Sequence, residues 1–161
     1  MATITVSTDL LSPPDRLWPL LIDFSGYADW MVVHDSFVTE PPTDPVPGDT
    51  FVQRGTVMGV SGEVEWTVDA VDVPHRVELS ADGPGNTRLR VCFLLAPSVR
   101  GSQLTCVYEI TGPRMIGLLV RAGKKEAERH TRASMARLDA LAQVTPIGRR
   151  PGHAEPEEAA G

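Results

Sequence analysis

The stretch RMIGLLVRAGKKEAERHTRASMARLDALAQV, residues 114–144, decides the fold of this 161-residue chain. Its small and apolar residues recur every three or four positions, which predicts one long amphipathic helix. At about 100° per residue, seven of them and one histidine fall within about 40° of one line. They are Ile116, Val120, Gly123, Ala127, His130, Ser134, Leu138 and Leu141. Gly123, Ala127 and Ser134 lack bulk, so the helix either lies very close to its neighbour or leaves a hollow beneath it.

The opposite side of this helix is cationic. Arg114, Arg121, Lys125 and Arg132 fall within about 20° of each other by the same count. A solvated helix face is the simpler interpretation, and contact with an acidic partner is the alternative.

Seven predicted β-strands precede the long helix. ATITVS (2–7) alternates apolar and polar side chains, as a strand with one buried face does. Six further strands are separated by turns rich in Gly, Pro, Asn and Asp, the pattern of an antiparallel sheet. Their predicted ranges are 33–40, 50–58, 63–72, 76–81, 87–96 and 102–110.

Two short helices are predicted between the first and second strands. SPPDRLWPLLIDF (12–24) begins with Ser12 as a helix cap, and Pro19 should kink this helix or move its start toward Arg16. SGYADW (25–30) predicts a second helix that begins at Ser25. Residues 1–144 therefore form one domain. The segment 145–161 is too poor in apolar residues to fold and is expected to be a disordered tail.

Composition and motifs exclude several classes of function. The net charge of −6 argues against nucleic acid as a partner. The chain has no run of about 18 apolar residues that could insert into a membrane, and no basic region precedes an apolar stretch at the N-terminus, so a cytoplasmic protein is expected. The sequence leaves the oligomeric state open, and a monomer or weak dimer is the expectation. The chain carries no CxxC, P-loop, dinucleotide fingerprint or nucleophile elbow, so neither a metal nor a cofactor is expected.

The order of elements resembles the START-like, or helix-grip, superfamily in its polyketide cyclase/dehydrase and lipid-transport branch. PPDRLWPLLIDFSGYADWM resembles the opening motif of that family through Pro14, Trp18, Leu21, Asp23, Tyr27 and Trp30. TVDAVDVPHRVEL resembles its link between the fourth and fifth strands through Asp72, Pro74, Arg76 and Val77. The resemblance covers residues 2 to 143. These motifs are structural, so they indicate the fold more strongly than the function.

The resemblance implies an α+β helix-grip fold, in which a curved antiparallel sheet of seven strands wraps around the long helix. A pocket would lie between sheet and helix, with Tyr27 and Trp30 on the short helix that closes it as a lid. Strand alternation turns one set of side chains toward the helix. The expected ligand-binding residues are Trp66, Val68, Leu89, Val91, Phe93, Cys106, Tyr108, Gly123, Ala127, His130 and Ser134.

The two cysteines are predicted to lie on opposite faces of the sheet. Residues opposite one another in an antiparallel pair share a face. If the apolar sets of the last two strands both face inward, Cys92 points outward and Cys106 inward. A disulfide between them is therefore not expected.

The candidates for proton transfer are His130, Tyr108 and Asp35. His130 lies in the middle of the inner helix face, where it either meets a ligand or forms a hydrogen bond with a strand hydroxyl or with Tyr108. Glu126 could also pair with it.

Strand alternation separates His34 from Asp35. It places Val33, Asp35 and Phe37 on one face and His34, Ser36 and Val38 on the other. A His34–Asp35 dyad is therefore not predicted.

Three functions fit these observations. The first is binding of a hydrophobic or aromatic small molecule, polyketide- or lipid-like, for carriage, sequestration or self-resistance in antibiotic biosynthesis. The second is a polyketide aromatase/cyclase. The third is a toxin-like or regulatory interaction protein of the same superfamily.

Overall fold

The computed structural model describes residues 1–57, 60–83 and 85–145. The N-terminal part comprises β1 (Ala2–Leu10), α1 (Pro14–Ile22), a 3₁₀ turn (Phe24–Gly26) and α2 (Tyr27–Trp30). Six strands follow: β2 (His34–Phe37), β3 (Thr50–Val57), β4 (Val60–Asp72), β5 (Arg76–Gly83), β6 (Thr87–Pro97) and β7 (Ser102–Thr111). The long helix α3 spans Arg114–Val144, as the periodicity predicted.

The strands form a single seven-stranded sheet in the order β1-β7-β6-β5-β4-β3-β2 over the described residues. Every neighbouring pair is antiparallel. The chain therefore runs from β2 to β7 as a meander, and β1 is added at the edge beside β7. The helix α3 packs against β1, β7, α1 and α2. This arrangement confirms the predicted α+β helix-grip fold.

Several element boundaries differ from the predictions. The strand predicted at 33–40 is reduced to His34–Phe37, and β4 begins at Val60 inside the predicted turn. Ser12 does not cap α1, because Pro13 holds the cap position and the Ser12 hydroxyl donates instead to the Asp139 carbonyl at 3.4 Å. The helix begins at Pro14 and continues through Pro19, so its start is not shifted.

One end of the sheet closes on a solid core. There α1 and the C-terminal half of α3 cover the strands, and the side chains between them are almost fully excluded from solvent. Burying a side chain of this size contributes about 1.5–3 kcal/mol. The residues in this closed end include Leu17, Leu20, Leu21, Val68, Val77, Leu104 and Leu138.

Residues 146–161, which make up most of the predicted disordered tail, lie outside the described part of the chain. Among the described residues, no helix combines the length and apolarity needed to cross a bilayer.

Candidate ligand-binding cavity

A cavity of about 480 Å³ lies at the other end of the sheet, beneath the middle of α3. Its wall is formed by the first half of β4, the end of β5, the start of β6, the end of β7 and α2. Pockets for small organic molecules usually measure about 300–1,000 Å³. The space is therefore large enough for a molecule of several fused rings or a short acyl chain.

Most of the predicted ligand-binding residues meet in this wall. The hollow exists because Gly123 and Ala127 carry too little side chain to fill the space between α3 and the concave sheet. The predicted residues that line the cavity are Trp66, Leu89, Val91, Phe93, Tyr108, Gly123, Ala127, His130 and Ser134, together with the lid residues Tyr27 and Trp30.

Val68 and Cys106 do not line the cavity, contrary to the prediction. Both point inward as strand alternation requires, but they lie toward the closed end of the sheet and are completely buried in the core. Burial raises the pKa of the Cys106 thiol to about 12, so the thiol stays protonated. Cys92 is only half-buried on the opposite face, and both thiols are free, which confirms the prediction for the cysteines.

Tyr108 is hydrogen-bonded to Thr131, a residue that the sequence patterns did not single out. The Thr131 hydroxyl donates to the Ala127 carbonyl at 2.8 Å, so its oxygen accepts the phenol proton of Tyr108 at 2.8 Å. Burial raises the pKa of Tyr108 well above its ordinary value. The phenol is consequently neutral, and its proton is held by the protein.

His130 lies in the cavity wall with 27% of its side chain exposed. Its Nε2 is 3.9 Å from Glu126 Oε1, the i,i+4 contact that the helical spacing predicted. Tyr108, the other partner considered for His130, is bonded to Thr131 instead. His130 is therefore a polar group of the wall that can contact an occupant of the cavity.

Gln53 links the cavity wall to the region beneath the short helices. Trp66 Nε1–H donates to Gln53 Oε1 at 2.8 Å, which turns the amide nitrogen of Gln53 toward His34 Nδ1, also at 2.8 Å. His34 Nδ1 must then accept, so the imidazole is neutral, and burial also lowers the pKa of His34. Gln53 lies on the inward face of β3 together with Phe51. The alternation of side chains along this strand could therefore have identified Gln53 as a buried polar residue.

His34 and Asp35 do not act together in the cavity, although the predicted alternation is wrong in detail. The register of β2 with β3 shifts between His34 and Ser36, so Asp35 is the extra residue of a bulge. The His34 ring therefore packs on Phe37, with 4.5 Å between ring centroids, instead of facing away from it. Asp35 is exposed and accepts a hydrogen bond from Thr56 Oγ1 at 2.7 Å, outside the cavity.

The predicted lid is anchored firmly to the core. Tyr27 and Trp30 are almost fully buried, their rings packed edge to face with 5.5 Å between centroids, and Trp30 also packs on Phe93. Ser134 Oγ accepts the Val32 N–H at 2.9 Å, which ties the end of α2 to α3. The hydroxyl of Ser134 thus holds the lid in place as well as lining the cavity.

The charged side chains of the wall lie at its rim. Glu63 pairs with Arg54 at 3.0 Å and Asp82 pairs with Arg88 at 2.8 Å, both among exposed side chains. Within the described part of the chain, no three His, Cys, Asp or Glu side chains are grouped so as to hold a metal ion.

The wall is mainly apolar, and two of its polar pairs, Tyr108 with Thr131 and Trp66 with Gln53, are bonded to each other. Among the described residues of the wall, the buried Trp30 Nε1 and Thr87 Oγ1 have no hydrogen-bond partner.

The sequence model of one protein family matches residues 1–144. That family is described as polyketide cyclase / dehydrase and lipid transport.

Individual proteins also resemble this chain. Uncharacterized protein Rv1546 of Mycobacterium tuberculosis is 29% identical over 133 residues, which cover 80% of this chain and 93% of the relative. Toxin Rv0910 of the same organism is 25% identical over 117 residues, covering 73% and 81%. The crystal structure of TTHA0849 from Thermus thermophilus superposes with a TM-score of 0.69 at 16% identity, covering 88% and 97%. This last likeness concerns the fold alone.

Proposed function

The chain belongs to the polyketide cyclase/dehydrase and lipid transport family, and from that premise we propose that it binds a hydrophobic or aromatic small molecule, polyketide- or lipid-like, in its cavity. Binding would serve carriage, sequestration or self-resistance in natural-product metabolism, in the cytoplasm. The observation that carries this proposal is a preformed cavity of about 480 Å³ with a mainly apolar wall.

The pattern of hydrogen bonds in the wall supports binding rather than chemistry. Tyr108 is bonded to Thr131, Trp66 to Gln53, and Ser134 to the Val32 backbone. Polar groups satisfied within the protein present few free sites to an occupant, so affinity would come from burial of apolar surface. His130 would then orient the ligand through a single polar contact.

Mass spectrometry of extracts from the purified protein, with a thermal-shift screen of polyketides and fatty acids, tests this proposal. We expect a co-purified hydrophobic compound, or a class of compounds that raises the melting temperature by preferential binding to the folded state. His130→Ala should weaken binding by about tenfold or less, because one hydrogen bond contributes about 0.5–1.5 kcal/mol. The absence of any bound or stabilising compound would contradict the proposal.

A polyketide aromatase/cyclase is the second candidate, favoured by the position of Glu126 behind His130 in the cavity wall. A carboxylate at 3.9 Å would support His130 as it takes up a proton from a poly-β-ketone. Tyr108 would act as a hydrogen-bond donor, whereas Asp35 lies outside the cavity. This candidate predicts that His130→Ala loses turnover steeply while ligand binding is retained.

A toxin-like role is a third candidate, since one of the relatives is named a toxin. Growth of cells that express this chain from an inducible promoter tests it. Arrest on induction would favour this role, and unaffected growth would count against it.

A further inference from the structure

The first three turns of α3 expose a group of large apolar side chains. Met115 is 71% exposed, Leu118 is 64% exposed and Leu119 is 54% exposed. Leu118 and Leu119 follow Met115 at spacings of three and four residues, so the three lie along one side of the helix. Grouped apolar side chains on a soluble surface mark sites of interaction, whereas single ones are ordinary.

Cations lie along one side of this apolar group, and the first acid that follows it is Glu126. Residues 110–125 contain Arg114, Arg121, Lys124 and Lys125 but neither Asp nor Glu. None of the four forms an ion pair with another described residue, whereas the arginines at the cavity rim, Arg54 and Arg88, are paired. A chain of net charge −6 therefore presents a local positive surface here.

The residues of these turns fall into three sectors around the helix axis. At about 100° per residue, Ile116, Val120 and Gly123 form the sector that faces the sheet. The sector of Arg114, Arg121 and Lys125 follows, and the exposed apolar sector completes the circle. Val120 and Gly123 line the cavity, so the exposed apolar sector borders the cavity wall.

The shape and charge of this surface select among possible occupants. A second copy of the chain would bring the same cations against each other across a two-fold interface. A stable protein interface buries about 800 Å² on each partner, more than one convex helical surface of three turns provides. An anionic bilayer needs no complementary groove, accepts apolar side chains among its acyl chains, and attracts each Lys or Arg through its phosphates.

We infer that residues 114–125 dock on the surface of an anionic lipid bilayer. The helix lies in the plane of the interface with Met115, Leu118 and Leu119 toward the acyl chains. Arg114, Arg121 and Lys125 reach the lipid phosphates. This inference goes beyond the proposed function, because the surface docks whether or not the cavity is occupied.

Co-sedimentation of the full chain with vesicles tests the inference. Vesicles of phosphatidylcholine are compared with vesicles that also contain phosphatidylglycerol, at low and at physiological salt. We expect binding to the anionic vesicles that weakens as salt is raised. Leu118→Ser/Leu119→Ser and Arg121→Gln/Lys125→Gln should each weaken binding by about tenfold or more.

Matched variants at other surfaces serve as controls. Val46→Ser/Val99→Ser removes exposed apolar side chains at the closed end of the sheet, and Arg100→Gln/Arg137→Gln removes exposed cations far from the first three turns of α3. Both should bind vesicles like the wild type. No binding by the wild type at low salt, or equal loss in the controls, would overturn the inference. A change in oligomeric mass, instead of vesicle binding, with the Leu118/Leu119 variant would overturn it too and assign the surface to a second copy.

Discussion

Gln53 is the residue on which the polar side of the cavity wall depends. Its amide oxygen satisfies the buried indole N–H of Trp66, and its amide nitrogen satisfies His34 Nδ1. Met31 Sδ also lies 3.5 Å from that nitrogen. One side chain therefore fixes three neighbours, including the Trp66 ring that forms part of the wall.

Gln53→Leu should lower the free energy of unfolding by about 1–3 kcal/mol, because it leaves the Trp66 N–H buried without an acceptor. Urea titration followed by tryptophan fluorescence measures the change. Gln103→Leu is the control, since Gln103 is exposed on β7. If both variants are equally stable, Gln53 does not have the role described.

His34 should make stability depend on pH in the acid range. Burial lowers its pKa in the folded protein below the ordinary value of 6.5, although Asp35 opposes the shift. The unfolded chain then binds a proton more readily than the folded chain as pH falls below 6.5. The stability contributed by neutral His34 is complete above pH 6.5 and is lost as pH falls toward the folded pKa.

Urea titrations at several pH values check this dependence. The other groups that face the imidazole are Asp35, the neutral phenol of Tyr27 and the amide of Gln53. His34→Gln removes the titration but keeps an acceptor for Gln53, so the difference between the two pH profiles isolates His34. Parallel profiles for wild type and variant would show that His34 contributes nothing in this range.

At the residue scale, sequence alternation predicts which way a side chain points but not where the pattern breaks. The opposite faces of Cys92 and Cys106 follow directly from the period of two residues. The bulge at Asp35 does not, because it accompanies the close passage of Val33, just before β2, beside β3, where the Val33 carbonyl accepts the Thr56 N–H at 2.9 Å. A Cβ on Gly55 would lie only 2.9 Å from the Val33 carbonyl oxygen, so this passage requires a glycine in the neighbouring strand.

Among the elements, α3 is tied to the N-terminal part of the chain by Asp139. Its carboxylate accepts the backbone N–H groups of Leu11 and Ser12, each at 3.0 Å. These groups lie at the junction of β1 and α1, and Asp139 itself is buried. The contact closes the solid end of the fold.

Asp139→Asn should destabilise the protein by about 1–3 kcal/mol, since its amide group would turn a donor toward a backbone donor. Thermal and urea unfolding measure this loss. Glu128→Gln, a change of the same kind at a half-buried position of the same helix, should alter stability little. Equal losses in the two variants would rule out a specific role for the Asp139 carboxylate.

The elements themselves were largely predictable from local patterns. The bounds of α3 and the identity of all seven strands follow from the change between periods of two and 3.6 residues. The buried face of α3 was less predictable. Its C-terminal half also buries Thr131, Met135, Asp139 and Ala142. Part of this burial comes from α1, which packs against α3. The periodicity of α3 alone therefore leaves these four residues outside the predicted buried face.

At the scale of the whole molecule, the fold divides into a solid end and a hollow end. The small residues Gly123 and Ala127 predicted a hollow, but strand alternation did not predict where along the strands the cavity would lie. Val68 and Trp66 share a face of β4, yet only Trp66 lines the cavity. Whether an inward-facing residue lies in the core or lines the cavity depends on how far along the sheet α1 packs. That position is a property of the assembled fold.

Titration with a hydrophobic fluorescent probe such as N-phenyl-1-naphthylamine tests whether this cavity binds a hydrophobic molecule. Ala127→Trp places an indole in the cavity, whereas Ala133→Trp places one on the exposed side of the same helix. We predict that the wild type and Ala133→Trp bind the probe with similar affinity, and that Ala127→Trp weakens binding by about tenfold or more through loss of the apolar space. Unchanged probe binding by a folded Ala127→Trp variant would contradict the account.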